Sequence, residues 1–400
     1  MIIKINTQKI ICFALGYLIC FPAIIYAVTN LMATWRLPII STWATPLLYG
    51  SYYATLILAA LQAVRRLSAA RIQVILFVVV SFLLSAAVHR GNIQYMWTRW
   101  NDIFLNPTYI FWFFSFSAFL ISDDLQDPEI FVQTLERLSY VSIFLALLQY
   151  ITALSKDTVP EYMTFSYNIL MQTAFLLMLN VKKLKWHRGV MGVIGTVLIV
   201  IAGCRGALVG LLLSTIIYYL FFIEKNSTKR KLVFVFAMLS CLILLAFWER
   251  FLRGLIELLE AMNIPSRTVA LLETKNFFAD SGRHDLQSRA LENLNILGHG
   301  LYGDRVLLSG SYVHNILAEL LVDYGMLLGA GIIIALVVVI LNGLISAQGD
   351  FRLVICALLS VGVVKLLFSG SYLNQEPGFY LLLGLCLNSI RTKKIGGQQK

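Results

Sequence analysis

The sequence predicts an all-α polytopic membrane protein of about twelve transmembrane helices, with one large loop between helices 9 and 10. Three observations predict it. Of 400 residues, 59% are hydrophobic and only 13% charged, too few charges to coat a soluble chain of this length. Apolar runs near the bilayer-crossing length of about 20 residues recur from one end to the other. The dense basic clusters fall in alternate loops, as the positive-inside bias requires.

The first span, Ile10–Ala33, follows Lys4 and Lys9 with no convincing small-residue cleavage site, so it reads as an uncleaved helix. Cys20 follows Leu18-Ile19, a poor setting for lipidation. Ile39–Ala63 and Ile72–Val88 come next, separated by Arg65, Arg66 and Arg71. A loop rich in Trp and Arg (Arg90, Trp97, Arg99, Trp100) leads to Ile103–Ile121, and an acidic loop, Ser122–Arg137, leads to Tyr140–Leu154. Tyr162–Val181 is followed by Lys182, Lys183, Lys185 and Arg188, then Gly189–Ala202. A tight turn joins this run to Ala207–Ile223, and Lys225, Lys229, Arg230 and Lys231 precede Leu232–Trp248. Beyond the large loop lie Met326–Ile345, Leu353–Phe368 and Phe379–Ile390, then a tail with Arg391, Lys393, Lys394 and Lys400.

With the N-terminus inside, every dense basic cluster lands on the cytoplasmic side. Both termini are then cytoplasmic, and the loop 249–313 lies outside. The formal charge of +11 is therefore loop charge, not a nucleic-acid footprint. No repeat or linker interrupts the pattern, so residues 1–400 read as a single integral membrane domain. All six cysteines lie in or beside apolar runs, which implies no disulfide framework in the large loop and no paired Cys-x-x-Cys site.

The one large polar stretch of the chain lies between Trp248 and Gly325. Glu249–Met262 alternates apolar and charged residues at helical spacing, which suits a helix lying in the interface, and Pro265 interrupts it. A second helix is expected from an N-cap at Ser281 through Leu286, Ala290, Leu291 and Leu294, until the glycines from Gly298 break it.

Several residues here and nearby can carry chemistry. Arg205 sits in the turn Gly203-Cys204-Arg205-Gly206 between two apolar runs. A cation so near the hydrocarbon faces a wet cavity or snorkels, and its planar fork suits a phosphate. Arg283 would occupy the first turn of the helix capped by Ser281, beside free backbone N–H groups that favour an anion; alone, it reads equally as a surface arginine. Asn315, Glu319 and Asp323 fall at i, i+4 and i+8, one stripe on a helix. His314 lies off that stripe, and a histidine can exchange a proton with a sugar hydroxyl. Lys365, near the outer end of its span, snorkels or adds positive charge to the same cavity. His284, His299 and His314 with Asp285 and Asp304 match no compact metal motif, and Asp123-Asp124 has no supporting cytoplasmic domain, so no metal and no cofactor are expected.

Together these features resemble the bacterial O-antigen polymerase and O-antigen ligase superfamily. Gly203–Ala207 is similar to that family's Ser-Arg-Gly segment, with Cys204 where the family often has Ser. Ser281-Gly282-Arg283 with Gly298 to Gly303 resembles its second arginine block, and Arg289 and Gly300 fit an Arg-x(10)-Gly spacing. His314-Asn315-x-x-x-Glu319, ending Tyr324-Gly325-x-x-x-Gly329, resembles its His-Asn block. The likeness covers the second half of the chain.

The resemblance implies a GT-C-like, multi-pass protein of the bacterial inner membrane whose large loop is periplasmic. It implies a metal-independent glycosyltransferase that uses an undecaprenyl-diphosphate-linked oligosaccharide, in contact with membrane lipid and working with a chain-length regulator protein. Arg205 and Arg283 would hold the diphosphate, and His314 would activate the acceptor hydroxyl or orient the diphosphate. Arg289, Asn315, Glu319 and Lys365 would be substrate-binding. Ser-Gly-Arg and His-Asn followed by Glu319 resemble the polymerases more than the ligases, which transfer glycan to lipid A core. A lipid-linked oligosaccharide flippase is the alternative from another class, but it needs charges lining a cavity through the bilayer, and these spans carry almost none apart from Lys365. Enzymes using polyprenyl monophosphate sugars usually place acidic residues in the first outer loop, and Asn30–Pro38 has none.

Overall fold

The computed structural model describes residues 7–35, 38–64, 67–97, 106–156, 160–222, 257 and 282–398. The expected span Leu232–Trp248, the interfacial helix Glu249–Met262 apart from Glu257, and the Ser281 cap lie outside the described residues. Among the described residues every regular element is helical. In chain order these are α1 (Thr7–Thr34), α2 (Pro38–Ala63), α3 (Ala69–Val88), α4 (Ile93–Met96), α5 (Pro107–Ile110), α6 (Ser117–Ile121), α7 (Pro128–Leu154), α8 (Tyr162–Lys182), α9 (Trp186–Ala202) and α10 (Arg205–Phe222). The second half adds α11 (Arg283–Glu292), α12 (Gly303–Leu307), α13 (Ile316–Ser346), α14 (Gly349–Leu359), α15 (Lys365–Phe368) and α16 (Pro377–Gln398). A π-helical stretch, Phe111–Phe116, joins α5 to α6, and another, Ser360–Val364, joins α14 to α15.

Six described helices are long and apolar enough to cross a membrane: Thr7–Thr34, Trp43–Ala63, Ala69–Val88, Pro128–Leu154, Ile316–Ser346 and Gly349–Phe368. Trp186–Ala202 and Arg205–Tyr219 are shorter apolar helices. Along α3, Ile72, Leu76, Val80 and Leu83 are exposed at helical spacing, as are Leu327, Ile334 and Leu341 along α13. Such apolar stripes on a folded chain are faces for lipid, and the protein is a polytopic membrane protein.

Two expectations need correction. The stretch Ser122–Arg137 is not all loop, because α7 begins at Pro128. The Asp127 carboxylate accepts from the Ile130 amide at 3.0 Å, Pro128 opens the helix and Glu129 sits in the first turn. An acidic cap followed by proline starts a helix efficiently, and the charges of its early turns hide it from a hydropathy reading. Arg71, expected among solvated loop cations, is only 1% exposed. Its guanidinium donates to the carbonyls of Phe119 and Gly384 and lies 3.5 Å from the Asp123 carboxylate, which also takes Arg391 at 3.1 Å. A buried charge needs such full satisfaction, so Arg71 is a core fastener.

The described residues group into two compact units, Met1–Pro22 with Ala44–Leu138 and Asp280–Lys400, and Ala23–Trp43 with Ser139–Ala279. In the second, α9 lays Gly189, Gly192 and Gly195 against Asn180, Leu177 and Thr173 of α8, a small-residue stripe that lets two helices approach closely without a hydrophobic driving force. In the first, α16 is the central helix, with Leu381, Leu382, Leu385 and Cys386 fully buried.

Helix α13 is two helices joined at Gly325, whose φ of 80° and ψ of 171° are open essentially to glycine alone. The carbonyls freed by the break are taken up by the loop before α12: the His299 amide donates to Val322 at 2.8 Å and the Gly300 amide to Asp323 at 2.9 Å. The Met326 amide in turn donates to Asn295 at 3.0 Å. The break turns the first part of α13 back until the Leu320 backbone rests on Gly329. This accounts for the Tyr324-Gly325-x-x-x-Gly329 pattern, and it places the polar stripe of α13 beside the loop 369–376.

Candidate functional site

The first unit gathers most of the residues singled out in the sequence. Asn315 caps α13, its side-chain oxygen accepting from the Leu317 amide at 2.9 Å and the Ala318 amide at 3.3 Å. The same side chain donates to the Leu367 carbonyl at 3.2 Å, and Arg283 donates to the neighbouring Phe368 carbonyl. Both therefore sit at the C-terminal end of α15, where carbonyls without helical partners attract donors and cations. Arg283 opens α11 directly behind Gly282. Gly282 is the N-cap and takes a left-handed conformation, φ 80°, which suits glycine.

His314 precedes Asn315 with φ 59°, a left-handed conformation that histidine tolerates better than most residues. Its ring lies 3.9 Å from the Tyr312 ring, centroid to centroid, and its buried Nδ1 has no hydrogen-bond partner among the described residues. Burial, aided by the nearby Arg283 charge, holds the His314 pKa down at about 4. The imidazole is therefore neutral at physiological pH, with a nitrogen able to take a proton.

Behind this face is a buried network that the sequence reading missed. Arg305, 7% exposed, donates to Ser371 Oγ at 3.2 Å and Asn374 Oδ1 at 3.0 Å, and its guanidinium lies 4.4 Å from the centre of the Tyr302 ring. Asp304 lies 3.5 Å from it and accepts from the Val313 amide at 3.2 Å. Burial works against the Arg305 charge, but Asp304 and Glu319 outweigh it and raise its pKa. Glu319 is fully buried, 3.9 Å from Arg305, and accepts from Ser371 and from the Tyr372 amide. Asp323 accepts from the Tyr372 hydroxyl at 2.6 Å. The stripe predicted on α13 thus exists, and its two acids hold the loop 369–376 rather than face solvent. Arg305 gave no periodic signal, since it lies on the five-residue helix α12 and its partners stand 66 and 69 positions away.

Lys365 is also tied to this loop, its ammonium 2.7 and 2.8 Å from the two oxygens of Glu376. Burial raises the Glu376 pKa, while Lys365 pulls it back. Arg289 is exposed on α11, six residues from Arg283 and so about 120° away around the helix. Arg205 belongs to the other unit, where Gly203, with φ 90°, ends α9 and Arg205 begins α10, half-buried. The expected tight turn is present. The three histidines considered for a metal have separate surroundings: His284 lies 3.4 Å from Ser288, His299 2.7 Å from the Asn293 carbonyl, and His314 on Tyr312.

Among the described residues the arrangement sets a cation, Arg283, and a neutral proton acceptor, His314, on a loop face braced by a buried ionic network. No curated protein and no solved structure matches the chain. Residues 190–333, about a third of the chain, match the family model described as O-antigen ligase, a segment that includes Arg205, Arg283, Arg289, His314, Asn315 and Glu319 and ends before Lys365. Over that segment the chain is similar to the O-antigen polymerase and ligase superfamily.

Proposed function

We propose that this protein is a polysaccharide polymerase of the bacterial inner membrane, a glycosyltransferase acting at the periplasmic face on glycans linked to undecaprenyl diphosphate. The observation that carries the reading is the pairing of Arg283 with a neutral His314 inside the segment that matches the O-antigen ligase family. In the reaction, a hydroxyl of the incoming lipid-linked repeat unit attacks the anomeric carbon of the donor glycan. The new glycosidic bond forms as the bond to the diphosphate oxygen breaks. The hydroxyl proton passes to His314, and the departing diphosphate takes up the negative charge.

Arg283 neutralises that charge, the role a metal ion plays elsewhere, and Arg205 is assigned the same role by its likeness to the family's Ser-Arg-Gly segment alone. Asn315 and Lys365 align the site, the one by capping α13 and the other by holding Glu376, and Arg289 binds substrate from its own face of α11. Glu319, given its burial, acts by fixing the loop 369–376 rather than by touching the substrate. Polymerase is preferred to ligase on the likeness of the Ser-Gly-Arg and His-Asn-x-x-x-Glu blocks.

The test is transfer by purified protein given undecaprenyl-diphosphate-linked repeat units with a chelator present. A ladder of products, lost in Arg283→Ala and His314→Ala, is expected. Transfer only after lipid A core is added would make the protein a ligase. Movement of the lipid-linked substrate across a vesicle membrane without transfer would make it a flippase.

A further inference from the structure

A cavity of about 440 Å³ opens in the first unit between α2, the π-helical stretch and the loop 369–376. Its lining includes Pro46, Tyr49, Gly50, Tyr53, Phe114 and Gln375. Its size falls in the range of about 300–1,000 Å³ that holds small ligands. The walls are rings and hydrocarbon, with only Gln375 and two phenol hydroxyls polar. Along α2 it runs from Pro46 to Tyr53, roughly 5 to 15 Å beyond Trp43, where the apolar span Trp43–Ala63 begins. The cavity therefore lies along the first half of an apolar span, with the loop residue Gln375 at one side, a setting in which an apolar chain is at home.

The cavity is joined to the candidate site through Gln375. The Ser115 hydroxyl, next to Phe114, donates to the Asn374 carbonyl and accepts from the Glu376 amide at 2.8 Å, clamping the backbone on both sides of Gln375. Asn374 holds Arg305 and Glu376 holds Lys365. One short loop thus forms the rim of the apolar cavity and the brace of the polar face.

We propose that this cavity binds the polyisoprenoid chain of the lipid-linked substrate, close to the diphosphate. The inference rests on the proposed function for its substrate. The aromatic walls suit a branched, unsaturated chain, and the loop 369–376 links the depth of the chain to the position of the diphosphate.

Gly50 provides the test, because it is exposed on α2 and a side chain there meets nothing within 4 Å. Gly50→Phe fills the cavity without disturbing the fold. The substrates are one repeat unit carried on undecaprenyl diphosphate and, as the short-chain donor, the same unit on ethyl diphosphate, which has no isoprenoid to enter the cavity. The variant should raise KM for the long-chain donor about tenfold, the effect of leaving roughly two methylene groups unburied, and leave the short-chain donor unchanged. Equal KM values for wild type and variant with the long donor would overturn the proposal. A photoreactive polyprenyl phosphate reads the cavity without turnover. Labelling of residues 46–53 that free polyprenyl phosphate competes away, and phospholipid does not, is expected. No labelling, or equal competition by phospholipid, would overturn it. A wild type that is labelled but transfers no glycan would leave the cavity assigned and remove the proposed function.

Discussion

Replacing Gly325 by alanine should destabilise the protein, while the same change six residues along the helix should not. At Gly325 a Cβ would meet the backbone of Ile296 and Gly298, and the dihedral angles lie where only glycine is comfortable. The strain costs about 1–3 kcal/mol and forcing two backbone segments apart costs a similar amount, together about 4 kcal/mol. Gly331 has nothing within 4 Å of a Cβ, so Gly331→Ala should be neutral or stabilise by about 0.5–1 kcal/mol through helix propensity. Apparent melting midpoints of both variants in one detergent give the comparison. Gly325→Ala should fall by several degrees and lose activity, since the break orients Asn315 and Glu319; Gly331→Ala should stay at or above wild type. Equal midpoints for the two variants would refute the packing of loop 295–300 against the break in α13.

Two further outcomes follow from the ionic network and the histidine. Arg305→Gln should cost about 3–5 kcal/mol, because it leaves Asp304 and Glu319 buried without their cation, and hydrogen exchange should rise across residues 369–376; unchanged protection of that loop would refute the bracing role. For His314 the folded pKa, about 4, lies below the unfolded value of about 6.5, so the unfolded chain binds the extra proton between them. Its contribution is full above pH 6.5 and is lost as pH falls toward 4. Discounted for solvent screening of a half-buried ring, it is worth about 1 kcal/mol. His314→Asn, which keeps a residue tolerant of positive φ, should lose less stability than wild type between pH 7.5 and 5; parallel losses would refute it.

The fold was legible where hydropathy speaks alone. Apolar runs at Ile10–Ala33, Ile39–Ala63 and Ile72–Val88 fall within helices whose ends differ by a few residues. Where polar residues serve as packing partners the signal fails. The early turns of α7 looked like an acidic loop, and Arg71 looked like a solvated cation although it binds residues some 50 and 310 positions away. The stripe Asn315, Glu319, Asp323 was visible because its spacing is local. Its function was not, because Ser371 and Tyr372, which give the stripe its meaning, lie in another loop. Arg305 and Tyr312 were missed for the same reason, although the nearby left-handed residues Tyr302, Ser309 and His314 mark a constrained segment once the backbone is seen.

The central claim is that Arg283 and His314 act at one centre, with His314 accepting the proton. The acid limb of kcat/KM against pH measures it directly, in wild type and in Arg283→Gln. In wild type the limb should lie near pH 4, with the rate level from pH 7 to 5. Removing Arg283 takes away the smaller of the two causes that depress His314, so the residual rate of the variant should show the limb moved partway up toward the ordinary histidine value of about 6.5. A wild-type limb already at that ordinary value, or one that Arg283→Gln leaves in place, would contradict a shared site.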